Sequence, residues 1–523
     1  MRLWRMPAAA LVVALVAGAK ASPGADALRT GFGETLEELE AWDVSAARKT
    51  AEALLLRYGH GSVTDELLGR VRFFEGDYAG AADILGGGPS DFARLAKNGV
   101  AEMRNTREVE SAHFRLRVPD GEDQILVPYA LDTLERAWQA IGDDLKEHPP
   151  EKIRVEILRD AGALSRMSPL TDGQIHESGT IALCKFAKLM VVSPDALVTG
   201  YPWQDTLAHE LTHYLIVRRN GNTVPVWLHE GIAKFEESRW RGSPGQSLAP
   251  TAAACLAQRV RQRRLVTFAR ISPSMALLSG EDATVAFAEV FDAIRYLFDE
   301  RGGVSALDGV LDRLRAGETD ERAIAEVAGE SFPRFQAAWK EYLRRQPLPA
   351  GIPPVCRGNL EFKDRPKDEK PEGSQEFGIP IDDPVVRNAA HLGALLQARG
   401  GVAAAAYEYA RAESAIGARS PLLSNDYALA LLHASRDADA ESLLQASLRP
   451  FPEVAQTHLH LGEVYLAEQR WARARDELLR ANAIDPFDPR VHAGLAQADL
   501  QLSDPAGRAR ELAALAQLTG ERR

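Results

Sequence analysis

Two histidines and a glutamate occupy one short segment that is suited to metal chemistry. The sequence HELTH spans residues 209–213 within the largely apolar stretch DTLAHELTHYLIV. Residues four apart share a helix face, so His209 and His213 can present two imidazoles to one zinc ion. Glu210, one residue along, can reach a metal-bound water rather than the metal. The spacing predicts a buried helix that binds zinc with Glu210 as general base. The alternative is a pair of surface histidines on an amphipathic helix.

A catalytic zinc ion needs a third protein ligand and one open position. Downstream, residues 224–237 read VPVWLHEGIAKFEE. HELTH, a short loop and then Trp-Leu-x-Glu-Gly-x-Ala resembles the gluzincin metallopeptidases, in particular the peptidase MA-like group, over about residues 108–345. In that family the Glu before Gly is the third zinc ligand, which corresponds here to Glu230. Glu237 lies seven residues further on the same helix face and is the alternative ligand; otherwise it belongs to a solvated helix end.

The resemblance also implies a mechanism and a substrate. Zinc-activated water would attack a peptide carbonyl, with Glu210 taking the proton and passing it to the departing amine. An edge strand would hold the substrate backbone by β-augmentation, and Gly179–Cys184 is the candidate strand. An ordinary core hairpin is the alternative for that segment.

The sequence departs from the family pattern at two positions. Lys234 stands where thermolysin-like members carry a carboxylate that supports a zinc histidine. Phe287 stands where a helix often carries a Tyr that stabilises the oxyanion. Four other side chains remain candidate oxyanion donors: Tyr201, His176, His229 and Tyr296. No Gly-Ala-Met-Glu-Asn-type motif is present in the sequence, which favours an endopeptidase over an aminopeptidase.

Alternating and amphipathic patterns place this site in an α+β domain. His113–Pro119 and Ile153–Leu158 alternate as strands, and Tyr129–Leu145 is an amphipathic helix. Gly179–Cys184 and Lys188–Ser193 are expected to form a hairpin. Helices are expected from about Trp203 onward.

The C-terminal part repeats every 34 residues. The alanines at 406, 440 and 474 and the prolines at 452 and 486 follow this interval. Residues 455–486 closely resemble a tetratricopeptide repeat, and units are expected to start near residues 387, 421, 455 and 489. A weaker copy in LLGRVRFFEGDYAGAADIL predicts about two helical hairpins over residues 26–104, with a plain helical bundle as the alternative.

Together these patterns predict an α+β gluzincin-like metallopeptidase domain with all-α, tetratricopeptide-type helical regions on both sides. The predicted parts are a signal peptide at 1–21, a helical region at 26–104, a catalytic domain at 105–345, a linker at 346–386 and repeats at 387–518. The linker is expected from its Pro-rich, charged composition, which is unable to build a core.

The N-terminus predicts export. Arg2 and Arg5 precede an apolar run of about ten residues, too short for the roughly 20 that span a bilayer, and a small-x-small pattern ends at Ala21. We therefore expect a periplasmic or secreted protein, cleaved near Ala21, with no stable membrane insertion. The three cysteines allow at most one disulfide, and buried or free thiols are the expected state.

Composition and motifs leave two functions open. The formal net charge of −12 argues against nucleic acid as a partner. The first function is an exported zinc peptidase that acts on protein or peptide substrates, with the repeats recruiting protein partners. The second is a tetratricopeptide scaffold whose zinc site is vestigial or structural. The presence of Glu210, which would bind no metal, favours the enzyme.

Overall fold

The computed structural model describes residues 23–520 apart from 89, 247, 273–274, 276–277, 279, 347–351, 357–359, 365–382 and 418. The predicted signal peptide lies outside the described residues. Within the described ranges, no helix is both long and apolar enough to cross a membrane.

Five helices come first. They are α1 (Pro23–Glu40), α2 (Val44–Tyr58), α3 (Ser62–Phe74), α4 (Tyr78–Leu85) and α5 (Asp91–Glu102). Short polar side chains cap three of them: Asp43, Asp77 and Ser90 each accept a hydrogen bond from a backbone N–H in the first turn. The apolar faces of these helices join the main core instead of forming a core of their own. Trp42, between α1 and α2, stacks near Tyr214, with ring centroids 5.3 Å apart.

A five-stranded mixed sheet follows. Its strands are β1 (Thr106–Glu110), β2 (Phe114–Pro119), β3 (Ile153–Leu158), β4 (Ala182–Lys185) and β5 (Lys188–Val192). The spatial order is β1-β2-β3-β5-β4, in which β2, β3 and β5 are parallel and the two edge strands β1 and β4 are antiparallel to their neighbours. Helix α6 (Val127–Leu145) connects β2 to β3, as its amphipathic pattern predicted. Strand β1 was not predicted, because its charged sequence TREVE lacks an apolar face.

Ten more helices complete the region up to residue 345. They are α7 (Ala161–Met167), α8 (Asp172–Ser178), α9 (Trp203–Asn220), α10 (Val226–Glu236), α11 (Pro250–Arg261), α12 (Phe268–Ile271), α13 (Gly280–Arg301), α14 (Val304–Arg315), α15 (Asp320–Ala328) and α16 (Phe332–Arg345). Helix α9 packs on β4, β5, α6 and α10. Helix α10 in turn lies so close to α13 that a Cβ at Gly231 would be 2.8 Å from the Val290 carbonyl oxygen. These contacts bury α9 between the sheet and the later helices.

Eight helices form the C-terminal repeats. They are α17 (Pro384–Ala398), α18 (Val402–Ile416), α19 (Pro421–His433), α20 (Asp437–Leu448), α21 (Ala455–Ala467), α22 (Trp471–Asn482), α23 (Pro489–Gln501) and α24 (Pro505–Thr519). The paired helices approach closely at small residues: a Cβ at Gly462 would lie 2.7 Å from Leu478. This close approach is the reason for the 34-residue spacing of small residues in the sequence.

The last repeats dock on the start of α9. The Trp203 indole N–H donates to the Asn482 carbonyl over 3.0 Å, and the Tyr201 backbone N–H donates to the Ile484 carbonyl over 3.0 Å. Gly200 has a φ of +67°, and a Cβ there would lie 2.3 Å from the Ile484 carbonyl oxygen. Glycine is therefore required where the two parts meet.

The described parts of the predicted linker lie against the domain that carries α9. Cys356 forms a disulfide with Cys255, which corrects the expectation of free thiols at these two positions; Cys184 is free and buried. Further along, Phe362 is buried and pairs with Leu197 in an antiparallel bridge. Apolar residues within the polar composition allow this packing, which the average composition of the segment concealed.

Candidate functional site

Helix α9 brings the two histidines of HELTH together. Their imidazole centroids are 4.7 Å apart and the ring planes are nearly perpendicular, at 87°. The helix holds this arrangement because Leu207, Ala208 and Leu211 are fully buried around it. His209, Glu210 and His213 form a cluster whose potential ligand atoms lie within 4.8 Å of one another. The cluster is the one that the helical spacing predicted.

Helix α10 brings Glu230 to the same point. Its Oε2 lies 3.6 Å from Nε2 of His209 and 3.4 Å from Nε2 of His213. Ligands about 2.0–2.1 Å from a tetrahedral zinc ion are about 3.3 Å from one another, so this spacing suits a zinc ligand set. Burial raises the pKa of Glu230, but the charges and hydrogen bonds of the two imidazoles lower it further, so the carboxyl is ionised. Two imidazoles and one carboxylate are a donor set that zinc prefers.

Glu237 supports His209 from the other side of the ring. The Nδ1–H of His209 donates to Glu237 Oε2 over 3.0 Å, and the second oxygen of Glu237 pairs with Lys234 Nζ. Because Nδ1 and Nε2 lie on opposite sides of the imidazole, the geometry of Glu237 is that of a ring-orienting partner rather than of the alternative ligand. Burial lowers the pKa of His209, but its contacts with Glu230 and Glu237 raise it to about 10. The carboxylates thus make the environment of this ring strongly favourable for a cation.

His229 supports the second imidazole. Its Nδ1 forms a 2.6 Å hydrogen bond with Nδ1 of His213, and the two rings stack with centroids 4.6 Å apart. One of the two nitrogens must donate and the other accept. Burial and the adjacent His213 lower the pKa of His229 to about 3, so His229 is neutral. Each histidine of HELTH therefore has its own orienting partner at Nδ1, an arrangement typical of metal-binding histidines.

Glu210 lies beside this set with one free oxygen. Its side chain is buried, and among the described residues Oε2 has no hydrogen-bond partner. The backbone N–H of Cys184 in β4 donates to the carboxylate. Burial raises the pKa of Glu210, while the imidazoles of His213 and His209 lower it, and the net shift is upward. A buried carboxylate with raised pKa and a free oxygen is suited to accept and return a proton.

The candidate oxyanion donors are engaged elsewhere. The Tyr201 hydroxyl donates to the Val192 carbonyl, and the Tyr296 hydroxyl accepts from Arg301 over 2.6 Å. His176 lies 2.9 Å from the Asp172 carbonyl and 3.3 Å from Asp364. His229 holds His213, as described above. Phe287 is half-buried against the main core.

Strand β4 presents a free backbone edge next to Glu210. Lys185 and Lys188 close the two-residue turn between β4 and β5, so Leu183 and Met190 form the next hydrogen-bonded pair. The N–H and C=O of Ala182 and Cys184 consequently point away from β5. The Cys184 N–H meets Glu210, whereas the outward groups of Ala182 have no partner among the described residues.

Comparison with known protein families agrees with two parts of this chain. Residues 174–345 match the family model of the Peptidase MA superfamily, and residues 431–498 match that of the tetratricopeptide repeat. The predicted combination of a peptidase MA-like domain with tetratricopeptide repeats is therefore confirmed. No curated protein sequence matches the chain significantly.

Solved structures show only a distant likeness. MamA 41-end from Desulfovibrio magneticus RS-1 is 17% identical, with a TM-score of 0.24 over 26% of this chain and 77% of MamA. PilF from Pseudomonas aeruginosa is 13% identical, with a TM-score of 0.24 over 52% of this chain and 93% of its own. Native yeast LTA4 hydrolase is 13% identical, with a TM-score of 0.29 over 78% of this chain and 66% of that protein. Scores this low establish no shared overall fold.

Proposed function

We propose that this protein is a zinc-dependent peptidase of the gluzincin type. The observation that carries the proposal is the convergence of Nε2 of His209 and Nε2 of His213 on Oε2 of Glu230, at 3.6 and 3.4 Å. The match of residues 174–345 to the Peptidase MA superfamily supports it. His209, His213 and Glu230 would hold the metal, with Glu237 and His229 orienting the two rings.

Bound zinc supplies Lewis acidity, which lowers the pKa of a coordinated water toward neutrality and polarises a carbonyl group. Glu210 takes one proton from the attacking water at its free Oε2. It then returns that proton to the nitrogen of the breaking C–N bond, so that an amine leaves and Glu210 is ionised again. The buried position of Glu210 keeps bulk water from competing for this proton.

The free edge of β4 supplies a place for the substrate backbone. The outward N–H and C=O of Ala182 can pair with an extended peptide, and the neighbouring Cys184 N–H is already engaged by Glu210. Backbone pairing of this kind accepts many side-chain sequences, which fits a protein or peptide substrate. We therefore include β-augmentation along β4 in the proposal.

Two further parts of the proposal concern location and partners. A disulfide such as Cys255–Cys356 persists in oxidising compartments, and this supports export of the protein to the periplasm or the medium. The C-terminal repeats would bind protein partners and present them to the peptidase site.

Two matched variants test the proposal. His213→Ala should abolish stoichiometric zinc binding, because one of three ligands is lost. Glu210→Gln should retain zinc and fold while hydrolysis of unfolded casein or of exported proteins falls by about 10²–10⁴-fold. Equal hydrolysis by wild type and Glu210→Gln would refute the mechanism.

The scaffold alternative predicts another outcome of the same experiment. Wild-type protein would then bind one zinc ion yet cleave no protein in a broad substrate panel. The engagement of Tyr201 and Tyr296 elsewhere is the observation that keeps this alternative open. In that case Phe287→Tyr is the first variant in which activity should be sought.

A further inference from the structure

The turn between β4 and β5 has an unfavourable backbone conformation for its residues. Phe186 and Ala187 have φ values of +58° and +54°, both in the left-handed region. A two-residue turn of this kind normally uses Asn-Gly or Gly-Gly, because side chains with a Cβ are sterically disfavoured there. A bulky Phe in this position therefore needs contacts outside the turn to hold it.

The N-terminal helices provide those contacts. The Phe186 ring lies in a pocket of three phenylalanines from α3 and α5, with centroids 5.2 Å from Phe73, 5.6 Å from Phe74 and 5.6 Å from Phe92. All three contacts are edge-to-face, and Phe186 is almost fully buried. The tip of the hairpin is thus inserted into the helical region that precedes the sheet.

A buried polar network fixes the next residue of the hairpin. Lys188, the first residue of β5, is fully buried and donates to the Phe73 carbonyl over 3.0 Å and to the Tyr78 hydroxyl over 2.7 Å. That hydroxyl in turn donates to the Glu156 carboxylate on β3, at 2.6 and 2.7 Å from its two oxygens. Helices α3 and α4 therefore grip the hairpin through charge as well as through aromatic packing.

The gripped hairpin is the one that contacts Glu210. Cys184, whose outward N–H donates to the Glu210 carboxylate, is only two residues from Phe186 along an edge strand that has a neighbour on one side alone. A displacement of the turn would be passed along β4 to this hydrogen bond and to the free edge at Ala182.

We infer that the N-terminal helices position the catalytic hairpin: Phe186, held by Phe73, Phe74 and Phe92, sets the place of the Cys184 N–H, which orients Glu210. Phe186 is a positioning residue, since it does not touch the reacting atoms. The inference rests on the proposed function for the role of Glu210. Its structural part concerns the hairpin alone.

The test exchanges the turn while preserving its shape. Replacing Phe186-Ala187 by Asn-Gly gives the preferred sequence for this turn type but removes the ring from its pocket. Ala187→Gly is the matched control that retains the ring, and Phe186→Leu is a conservative variant that also serves if the double variant fails to fold. Zinc content, kcat, KM and hydrogen exchange of the Cys184 amide are measured on the full-length, zinc-loaded protein.

We expect Asn-Gly to lower kcat by about 10–100-fold with little change in KM or zinc content, because a misplaced base costs rate rather than binding. The Cys184 amide should exchange at least about tenfold faster as its hydrogen bond weakens. Phe186→Leu should be intermediate and Ala187→Gly like wild type. Wild-type kcat and exchange in the Asn-Gly variant would overturn the inference.

A second pair isolates the hydrogen bond itself. The Cys184 N–H lies off the β4–β5 ladder, so Cys184→Pro removes it without breaking a strand pair. Cys184→Ala keeps the N–H and removes the thiol. We expect kcat to fall in Cys184→Pro only, and equal kcat in the two variants would contradict the role of the N–H. If the wild type hydrolyses no peptide, the proposed function fails, and the exchange comparison alone then decides the inference.

Discussion

The contact between Glu237 and His209 predicts how strongly a residue outside the ligand set controls metal binding. Glu237→Ala removes a carboxylate that is 8% exposed and accepts a hydrogen bond of 3.0 Å from Nδ1 of His209. A hydrogen bond to a charged group contributes about 1.5–3 kcal/mol. Since about 1.4 kcal/mol corresponds to a factor of ten, the zinc dissociation constant should rise by roughly 10–100-fold.

The assay is competition for zinc between the protein and a chelator of known affinity, at fixed pH. Glu236→Gln is the matched control, because Glu236 is the adjacent buried carboxylate and makes no hydrogen bond within the described residues. Circular dichroism must show that both variants are folded. Unchanged zinc affinity in Glu237→Ala would refute the orienting role, and loss of stoichiometric binding would identify Glu237 as a ligand.

Three more predictions concern stability. Gly200→Ala should weaken docking of the repeats by at least about 1–2 kcal/mol, since it combines a left-handed φ with a clash against the Ile484 carbonyl; faster release of the repeats by limited proteolysis measures it, with Gly221→Ala as a control that has the φ but no neighbour. Burial raises the pKa of Glu236 to about 8, so the folded state loses stability as pH rises from about 4.5 to 8. Glu236→Gln should therefore be more stable than wild type at pH 9 by roughly 3–5 kcal/mol and no more stable at pH 4, as denaturant titrations at the two values would show. Reducing the Cys255–Cys356 disulfide, which closes a loop of 101 residues, should lower the free energy of unfolding by up to about 4–5 kcal/mol, and an unchanged melting temperature in reductant would contradict this.

The sequence predicted the parts of the site that depend on local spacing. His209, Glu210 and His213 lie on one helix, and a period of 3.6 residues is sufficient to bring them together. Glu230 came from a family resemblance, and its position next to the imidazoles depends on α10 crossing α9. The strands β2, β3 and β5 followed from apolar alternation, since each has an apolar buried face.

The orienting residues depend on tertiary geometry and had no sequence signal of their own. Glu237 was placed in the ligand set because seven residues return to the same helix face. Which imidazole nitrogen it meets is decided by the distance and angle between two helices. His229 was considered only as an oxyanion donor, because its neighbour His213 is 16 residues away in the sequence. A disulfide between residues 101 positions apart is likewise invisible to local pattern analysis.

The contact of Gly200 with Ile484 bears on how such a protein can change over generations. Repeat arrays are commonly gained, lost or exchanged as whole cassettes, because each unit contacts only its neighbours. Here Trp203 and Tyr201, at the entrance to the helix of HELTH, are hydrogen-bonded to the turn between α22 and α23. A recombination event that replaced this turn would disturb the helix that carries both histidines. The earlier repeats, α17 to α20, are free to diversify with new partners, whereas the last two units are inherited together with the peptidase-like domain.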